Sequence, residues 1–201
     1  MTISSVPRIV VVIGSQKGRS DKSRRSALRS LLSISTKRVE NVFPNFQTLD
    51  FQDWEFPLFE GFQPHETGAP SVEYAYDAIR NASGILFGIP AYWSSISGPF
   101  KNFIEVLSGP AYDLPYPQRT VFFGKKVGIC VVGADALSAA RGVIQANDLV
   151  CQLGMFAVGE AVCIGNPRDD SFSFEAAIDK TVALIAELAM SVALDCREKS
   201  P

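Results

Sequence analysis

Apolar positions along the chain form short uninterrupted runs, separated by stretches in which they recur at helical spacing. Arg8 to Ile13 (RIVVVI) is β-branched and does not alternate, the pattern of a strand buried on both faces of a parallel sheet. Phe46 to Phe51 predicts a second strand, Gly84 to Ile89 a third, Val127 to Val132 a fourth and Phe156 to Ile164 a fifth. A helix starting near Asp21 carries Leu28, Leu31 and Leu32 on one face. Pro70 opens a second, faced by Val72, Ala75, Tyr76 and Ile79. Phe100, Phe103, Ile104 and Leu107 make one stripe of a third. A fourth covers Ser138 to Leu153. The last runs from Ser173 to Cys196, with Phe174, Ile178, Val182, Ile185 and Leu188 turned inward.

Strands alternating with helices predict a doubly wound α/β sandwich in a single domain over residues 1–201. The expected sheet is five-stranded and parallel, in 2-1-3-4-5 order, with helices on both faces and right-handed crossovers. In that order the loops after strands one, three and four emerge at one edge, and a crevice opens where strands one and three are neighbours. Two Pro- and Gly-bearing excursions, 52–69 and 109–123, are long enough to suggest a function of their own.

Composition narrows the picture. The net charge of −2 gives no electrostatic case for nucleic acid or an anionic membrane. Nine of the nineteen basic residues nevertheless lie in the first 38 positions, beside a single acid, Asp21. Cys130, Cys151, Cys163 and Cys196 show no CxxC spacing, two sit in apolar runs, and they read as reduced, buried thiols of a cytosolic protein. One histidine, His65, sits in the first excursion as a surface or lid residue and rules out most His-based metal sites. No secretion signal precedes the first strand, and the longest apolar helical stretch, Val182 to Leu194, is too short for a bilayer. Asn81-Ala82-Ser83 therefore reads as a chance sequon.

The chemistry sits in the loops. The first, Gly14-Ser15-Gln16-Lys17-Gly18-Arg19-Ser20-Asp21-Lys22-Ser23, joins a buried strand to a helix start. Free backbone N–H groups, hydroxyls and cations there suit a phosphate. The chain contains neither GxGxxG nor GxxxxGK[ST], which argues against a dinucleotide fingerprint and against ATP or GTP hydrolysis. The third-strand loop, GIPAYWSSISGPFKN at 88–102, is rich in aromatics and hydroxyls. Tyr92 and Trp93 suit a flat ring, and Ser97 a helix cap. The small residues of Val132-Gly133-Ala134-Asp135 admit a close ligand or mark a plain capped strand end. Arg24, Arg25 and Arg29 extend the positive charge, as a solvated face or as a docking point for a second phosphate-bearing ligand such as NADPH.

The first loop and PAYWSSISGPFKN together resemble the NAD(P)H-dependent FMN reductases of the flavodoxin-like proteins. The second motif of that family runs P-E-Y-N-x-S-x-x-G-x-L-K-N, and Pro90, Tyr92, Ser95, Gly98, Lys101 and Asn102 fall in register. Ala91 stands where the family has Glu, Trp93 where it has Asn, and Lys17 where Arg is common. The resemblance implies a flavodoxin-like three-layer sandwich with bound FMN. Ser15, Lys17, Ser20 and Ser23, with Arg19 adding charge, would hold the phosphate. Pro90, Ala91, Tyr92, Trp93 and Ser95 would line the ring, with Gly133 and Ala134 on its other side. NADPH or NADH would supply hydride to the cofactor, so no catalytic side chain and no metal are required. The early basic cluster tilts the choice of donor toward NADPH. The implied acceptor is small: flavin, quinone, azo compound, metal ion or a specialised metabolite. The rival readings are a flavin-binding electron carrier or regulatory module without NAD(P)H turnover, and a scaffold without flavin. A homodimer or homotetramer is expected, with Trp54 to Phe62 and Ala111 to Phe123 as candidate contact surfaces.

Overall fold

The computed structural model describes residues 8–21, 23–43, 45–110, 120–169 and 171–198, with side chains through Asp195. Lys22 and residues 111–119 of the second excursion lie outside the described residues. In chain order the elements are β1 (Ile9–Ile13), α1 (Ala27–Val39), β2 (Phe46–Asp50), a 3-10 turn (Pro64–Glu66), α2 (Pro70–Arg80) and β3 (Gly84–Tyr92). They continue with β4 (Ser95–Ile96), α3 (Gly98–Ser108), β5 (Lys126–Gly133), α4 (Ala136–Gln152), β6 (Phe156–Ala157), β7 (Val162–Gly165) and α5 (Phe174–Glu198).

The long strands lie in the order β2-β1-β3-β5, with β6 and β7 both pairing with the far side of β5. Every one of these pairings is parallel. Counting β6 and β7 as one interrupted strand, this is the expected 2-1-3-4-5 order.

Successive strand residues face opposite layers. Val10, Val12, Ile85, Phe87, Ile129 and Val131 pack under α2, α3 and α4. Ile9, Val11, Ile13, Leu86 and Cys130 pack under α1 and α5. Both layers are therefore apolar, which is why the strands read as continuous runs. A cluster of rings stiffens the α3 side: Phe87 and Phe100 meet edge-on at 5.2 Å, and Phe51 lies 5.1 Å from Phe103.

Three elements differ from the sequence expectation. First, α1 begins at Ala27 rather than near Asp21. The Asp21 carboxylate instead accepts bonds from the Ser23 N–H at 3.0 Å and the Ser23 hydroxyl at 2.6 Å, a local turn that competes with helix. Ser26 then caps the helix, accepting from the Arg29 N–H at 3.3 Å. Second, the fifth strand breaks. Ala157 pairs with Val127 and Val162 with Cys130, so five steps along one chain match three along the other. Gly159, at φ 68°, takes up the excess in a left-handed turn. Third, β3 runs on to Tyr92 and doubles back through the antiparallel β4. Among the described residues no helix is long and apolar enough to cross a membrane.

Candidate functional site

A cavity of about 270 Å³ opens over the C-terminal ends of β1, β3, β5 and β7. This is just under the usual size range of small-molecule sites, at the place where a doubly wound sheet builds them. Its walls come from the β1 loop (Ser15, Lys17), the first turn of α1 (Ser26, Ala27, Leu28), β3 (Pro90, Tyr92), β5 and its loop (Val132, Gly133, Ala134), and the loop after β7 (Asn166, Pro167, Arg168).

The β1 loop is held from beneath by Arg29. Its guanidinium pairs with the Asp50 carboxylate through Nε to Oδ2 at 2.5 Å and Nη2 to Oδ1 at 2.8 Å. Nη2 also donates to the Ser15 carbonyl at 2.7 Å, and Nη1 to the Lys17 carbonyl at 2.8 Å. Arg29 is thus committed to positioning the loop and is not free to meet a second ligand, as its place in the basic run had suggested. Asp50, the last residue of β2, also accepts from the Gln52 N–H at 2.8 Å.

Above this clamp, Ser15 and Ser26 are both buried and share a hydrogen bond of 3.0 Å between their hydroxyls. Ser26 Oγ accepts from Arg29 N–H, and Ser15 Oγ accepts from Lys17 N–H at 3.4 Å. Two hydroxyls carry two protons, and their mutual bond uses one. Whichever way it runs, one O–H is left without an acceptor among the described residues, at the mouth of a helix whose first N–H groups are also unpaired. Lys17 lies across the opening with Nζ 5.6 Å from the centre of the Tyr92 ring. A polar O–H, helix amides and a cation converging on one space suit an anion.

Six of the twelve residues singled out in the sequence line this cavity: Ser15, Lys17, Pro90, Tyr92, Gly133 and Ala134. The other six do not. Arg19 turns to the first excursion, pairing with Glu55 at 2.5 Å and with the Trp54 carbonyl at 3.3 Å. Ser20 is exposed on the loop, outside the cavity wall. Ser23 is engaged by Asp21. The Ala91 methyl is fully buried on the other side of the strand, against Gly142 of α4, while the Ala91 carbonyl accepts from the Ala134 N–H at 3.1 Å. Ser95 donates to Gln145 Oε1 at 3.0 Å. Trp93 stands 96% exposed at the tip of the β3–β4 hairpin.

That hairpin is unusual. Trp93 and Ser94 both have positive φ, 53° and 62°, as the two central residues of a tight turn that favours Asn-Gly. Helix α4 holds it in place. Gln145 Oε1 accepts from Ser95 Oγ and the Ile96 N–H, Gln145 Nε2 donates to the Ser94 carbonyl at 3.1 Å, and Ser138 Oγ accepts from the Ser94 N–H at 3.2 Å. Asp135 caps α4, accepting from the Ser138 N–H at 2.7 Å and the Ser138 hydroxyl at 2.8 Å, and these bonds hold its carboxyl below the usual range.

The sequence reading missed Ser26 and the loop after β7. Ser26 falls inside the helix when the sequence pattern starts it near Asp21, which hides its role as the cap. Arg168 carries no motif, and only the parallel pairing of β7 with β5 places its loop at the same edge. Asn166, at φ 40°, turns this loop and accepts from the Arg168 N–H at 3.3 Å. Other residues of the motifs prove structural. Asn102 fastens the first excursion to α3, accepting from the Phe59 N–H at 2.9 Å and donating to the Pro57 carbonyl at 2.8 Å. Ser97 occupies the cap position of α3 without a capping bond from its side chain. His65 is exposed on the 3-10 turn and lines a separate cavity of about 370 Å³ between that turn, α2 and the end of α3.

A family model described as NADPH-dependent FMN reductase matches residues 7–169, which contain every wall of the cavity. The chain belongs to this family. As an FMN reductase it is an NAD(P)H-dependent flavin oxidoreductase, with FMN as cofactor and NAD(P)H as electron donor. No curated protein matches the chain in sequence. Several solved structures share the fold. RosB with a bound 8-demethyl-8-formylriboflavin-5'-phosphate intermediate superposes with a TM-score of 0.68 at 13% identity, over 97% of this chain and 82% of RosB. FerB, an NAD(P)H:(acceptor) oxidoreductase from Paracoccus denitrificans, gives 0.62 at 17%, over 96% and 98%. The apo form of EmoB, an NADH:FMN oxidoreductase, gives 0.61 at 18%, over 97% and 91%.

Proposed function

We propose that the cavity over β1, β3 and β5 is the FMN site, and that the enzyme passes electrons from NAD(P)H to a small organic acceptor. The observation that carries the assignment is the unspent O–H of the Ser15–Ser26 pair, facing the first turn of α1 beside Lys17. These groups would hold the phosphate, with the amides of Ala27 and Leu28. Pro90 and Tyr92 would bound one side of the ring, and Gly133 and Ala134, which have almost no side chain, would let the other side approach closely. Bound FMN supplies the hydride and electron chemistry.

The chain's own task is then to bind, orient and steer. Arg29 keeps the phosphate loop in a binding-ready shape before the cofactor arrives, which removes part of the ordering cost of binding. Of the arginines in the early basic run, Arg19 pairs with Glu55 and Arg29 with Asp50, whereas Arg24 meets Asp21 only at 3.7 Å on the surface and Arg25 is exposed with no ion pair among the described residues. Arg168 also has no ion pair among the described residues and lines the cavity, whereas Arg24 and Arg25 do not, so we assign the phosphate of the NADPH donor to Arg168 rather than to the start of α1. Cys130 is buried as expected, but Cys151 and Cys163 are exposed, because they lie on the outward sides of α4 and β7; three free thiols fit a reducing, cytoplasmic setting. Exposed Leu58 and Phe62 on the first excursion suit an interface in a homodimer or homotetramer.

The test is an anaerobic absorption spectrum of the FMN-loaded protein before and after NADPH, followed by addition of a quinone. Bleaching by NADPH and recovery with the quinone supports the reading. A bound flavin that dithionite bleaches and NADPH does not would make the protein an electron carrier.

A further inference from the structure

We infer that Trp93 is the acceptor platform of this enzyme: its exposed indole stacks a flat, electron-poor aromatic molecule at the rim of the flavin cavity. The inference rests on the FMN reading above and adds the chemical class of the acceptor.

Three observations carry it. The indole is 96% exposed, so both ring faces are open. It follows directly on Tyr92, a wall of the cavity, and so stands at the rim. Its backbone is also held where a bulky residue is disfavoured. Trp93 and Ser94 occupy the left-handed region at consecutive positions, in a turn for which Asn and Gly are the natural occupants. The four hydrogen bonds from Gln145 and Ser138 keep the turn in that shape. A strained, firmly gripped turn that presents a large apolar ring to solvent gains nothing in stability from that ring. The ring's worth lies in what it touches.

The chemistry of indole selects the guest. Its face carries negative charge density and stacks best on rings depleted of electrons. Molecules that accept electrons from a reduced flavin, quinones and azo-aromatics among them, are electron-poor by nature. Lys17, near Tyr92, adds positive charge for an acidic substituent on the guest.

The experiment uses FMN-loaded enzyme and the variants Trp93→Asn and Trp93→Phe. Menadione serves as the flat acceptor and ferricyanide as an acceptor with no ring. In Trp93→Asn the ratio of kcat/KM for menadione to that for ferricyanide is expected to fall about tenfold, carried by the KM for menadione, and Trp93→Phe should restore most of it. Because Asn suits the turn, the Tm of Trp93→Asn should rise by about 2–4 °C. A variant that gains stability and loses menadione separates recognition from folding. A binding readout without turnover uses Trp54→Phe, which leaves Trp93 as the single tryptophan. Menadione added without NADPH should quench its fluorescence saturably, at a concentration near the wild-type KM. An unchanged acceptor ratio in Trp93→Asn overturns the inference, as does quenching that never saturates. So does dissociation of an oligomer in Trp93→Asn with the ratio intact, which would make the ring a contact with a second copy. Failure of the underlying FMN reading would show separately, as wild-type enzyme that turns over neither acceptor.

Discussion

Replacing Arg29 with Ala tests whether this residue is the clamp of the phosphate loop or a ligand contact. The side chains of Arg29 and Asp50 are only 18% and 12% exposed, and they meet in a two-pronged pair backed by two loop carbonyls. Removing one partner of a buried pair costs about 3–5 kcal/mol, because the other charge is left behind. Residual contact with water places Arg29→Ala at the low end, about 3 kcal/mol. For a chain of this length that lowers Tm by about 6–12 °C. The loop carbonyls of Ser15 and Lys17 lose their donor in the same stroke, so the FMN Kd should rise about tenfold as the loop loses its preset shape. The assay is urea unfolding of Arg29→Ala, Asp50→Ala and the double variant, with FMN titration of each. The double variant should be less destabilised than the sum of the singles by about 2 kcal/mol. The reasoning fails if Arg29→Ala unfolds within about 0.5 kcal/mol of wild type. It fails equally if the two substitutions are additive, or if the KM for NADPH rises with stability and the FMN Kd unchanged.

Three further outcomes follow from the structure. Burial pushes the Cys130 thiol up to about 12 from 9.0, the hydrogen bond with Thr181 opposing the shift. The folded state therefore keeps its proton longer than the unfolded chain. The associated stability is fully present below about pH 9 and declines toward pH 12 by about 1.4 kcal/mol per unit, which Cys130→Ala should flatten in alkaline unfolding curves. Gly142→Ala would place a methyl 2.8 Å from Ala91 Cβ and 2.9 Å from Val131 Cγ1, so α4 must move off β3. Denaturation should show a loss of about 1–3 kcal/mol, and a neutral result would mean that the helix has room to shift. Arg168→Ala should raise the KM for NADPH several-fold more than that for NADH, an effect that shrinks in 0.5 M salt; equal changes for both donors would remove Arg168 from donor binding.

The sheet was legible because both of its faces are buried. Runs such as RIVVVI and VGICVV leave no polar face to confuse with a surface strand, and parallel topology then puts the loops of β1, β3, β5 and β7 on one edge. The breaks were not legible, because they depend on single backbone angles. Gly159 at φ 68° splits one apolar run into β6 and β7, and a positive φ at Trp93 contradicts its side chain's preference. The site was half legible. Ser15, Lys17, Pro90 and Tyr92 follow from where their strands end. The roles of the arginines depend on partners distant in sequence: Arg29 on Asp50, 21 residues on, and Arg19 on Glu55, 36 residues on. Charge in a loop shows that cations are available and leaves open which ones are already paired. The Ala91 side chain lies off the cavity for a simpler reason: strand periodicity turns its methyl to the α4 side, with Pro90 and Tyr92 left on the cavity.

The most direct test of the site is the affinity for FMN itself, read from the loss of flavin fluorescence as protein is titrated in. Wild type, Lys17→Ala and Ser15→Ala should be compared, with far-ultraviolet circular dichroism to show that each is folded. The account predicts tight wild-type binding at micromolar protein or below, and a Kd raised about tenfold or more in each variant, as charge-assisted and hydroxyl contacts to the phosphate are lost. Wild-type affinity for FMN in both variants, or binding as tight for riboflavin as for FMN, would contradict it: the phosphate would then lie somewhere other than the mouth of α1.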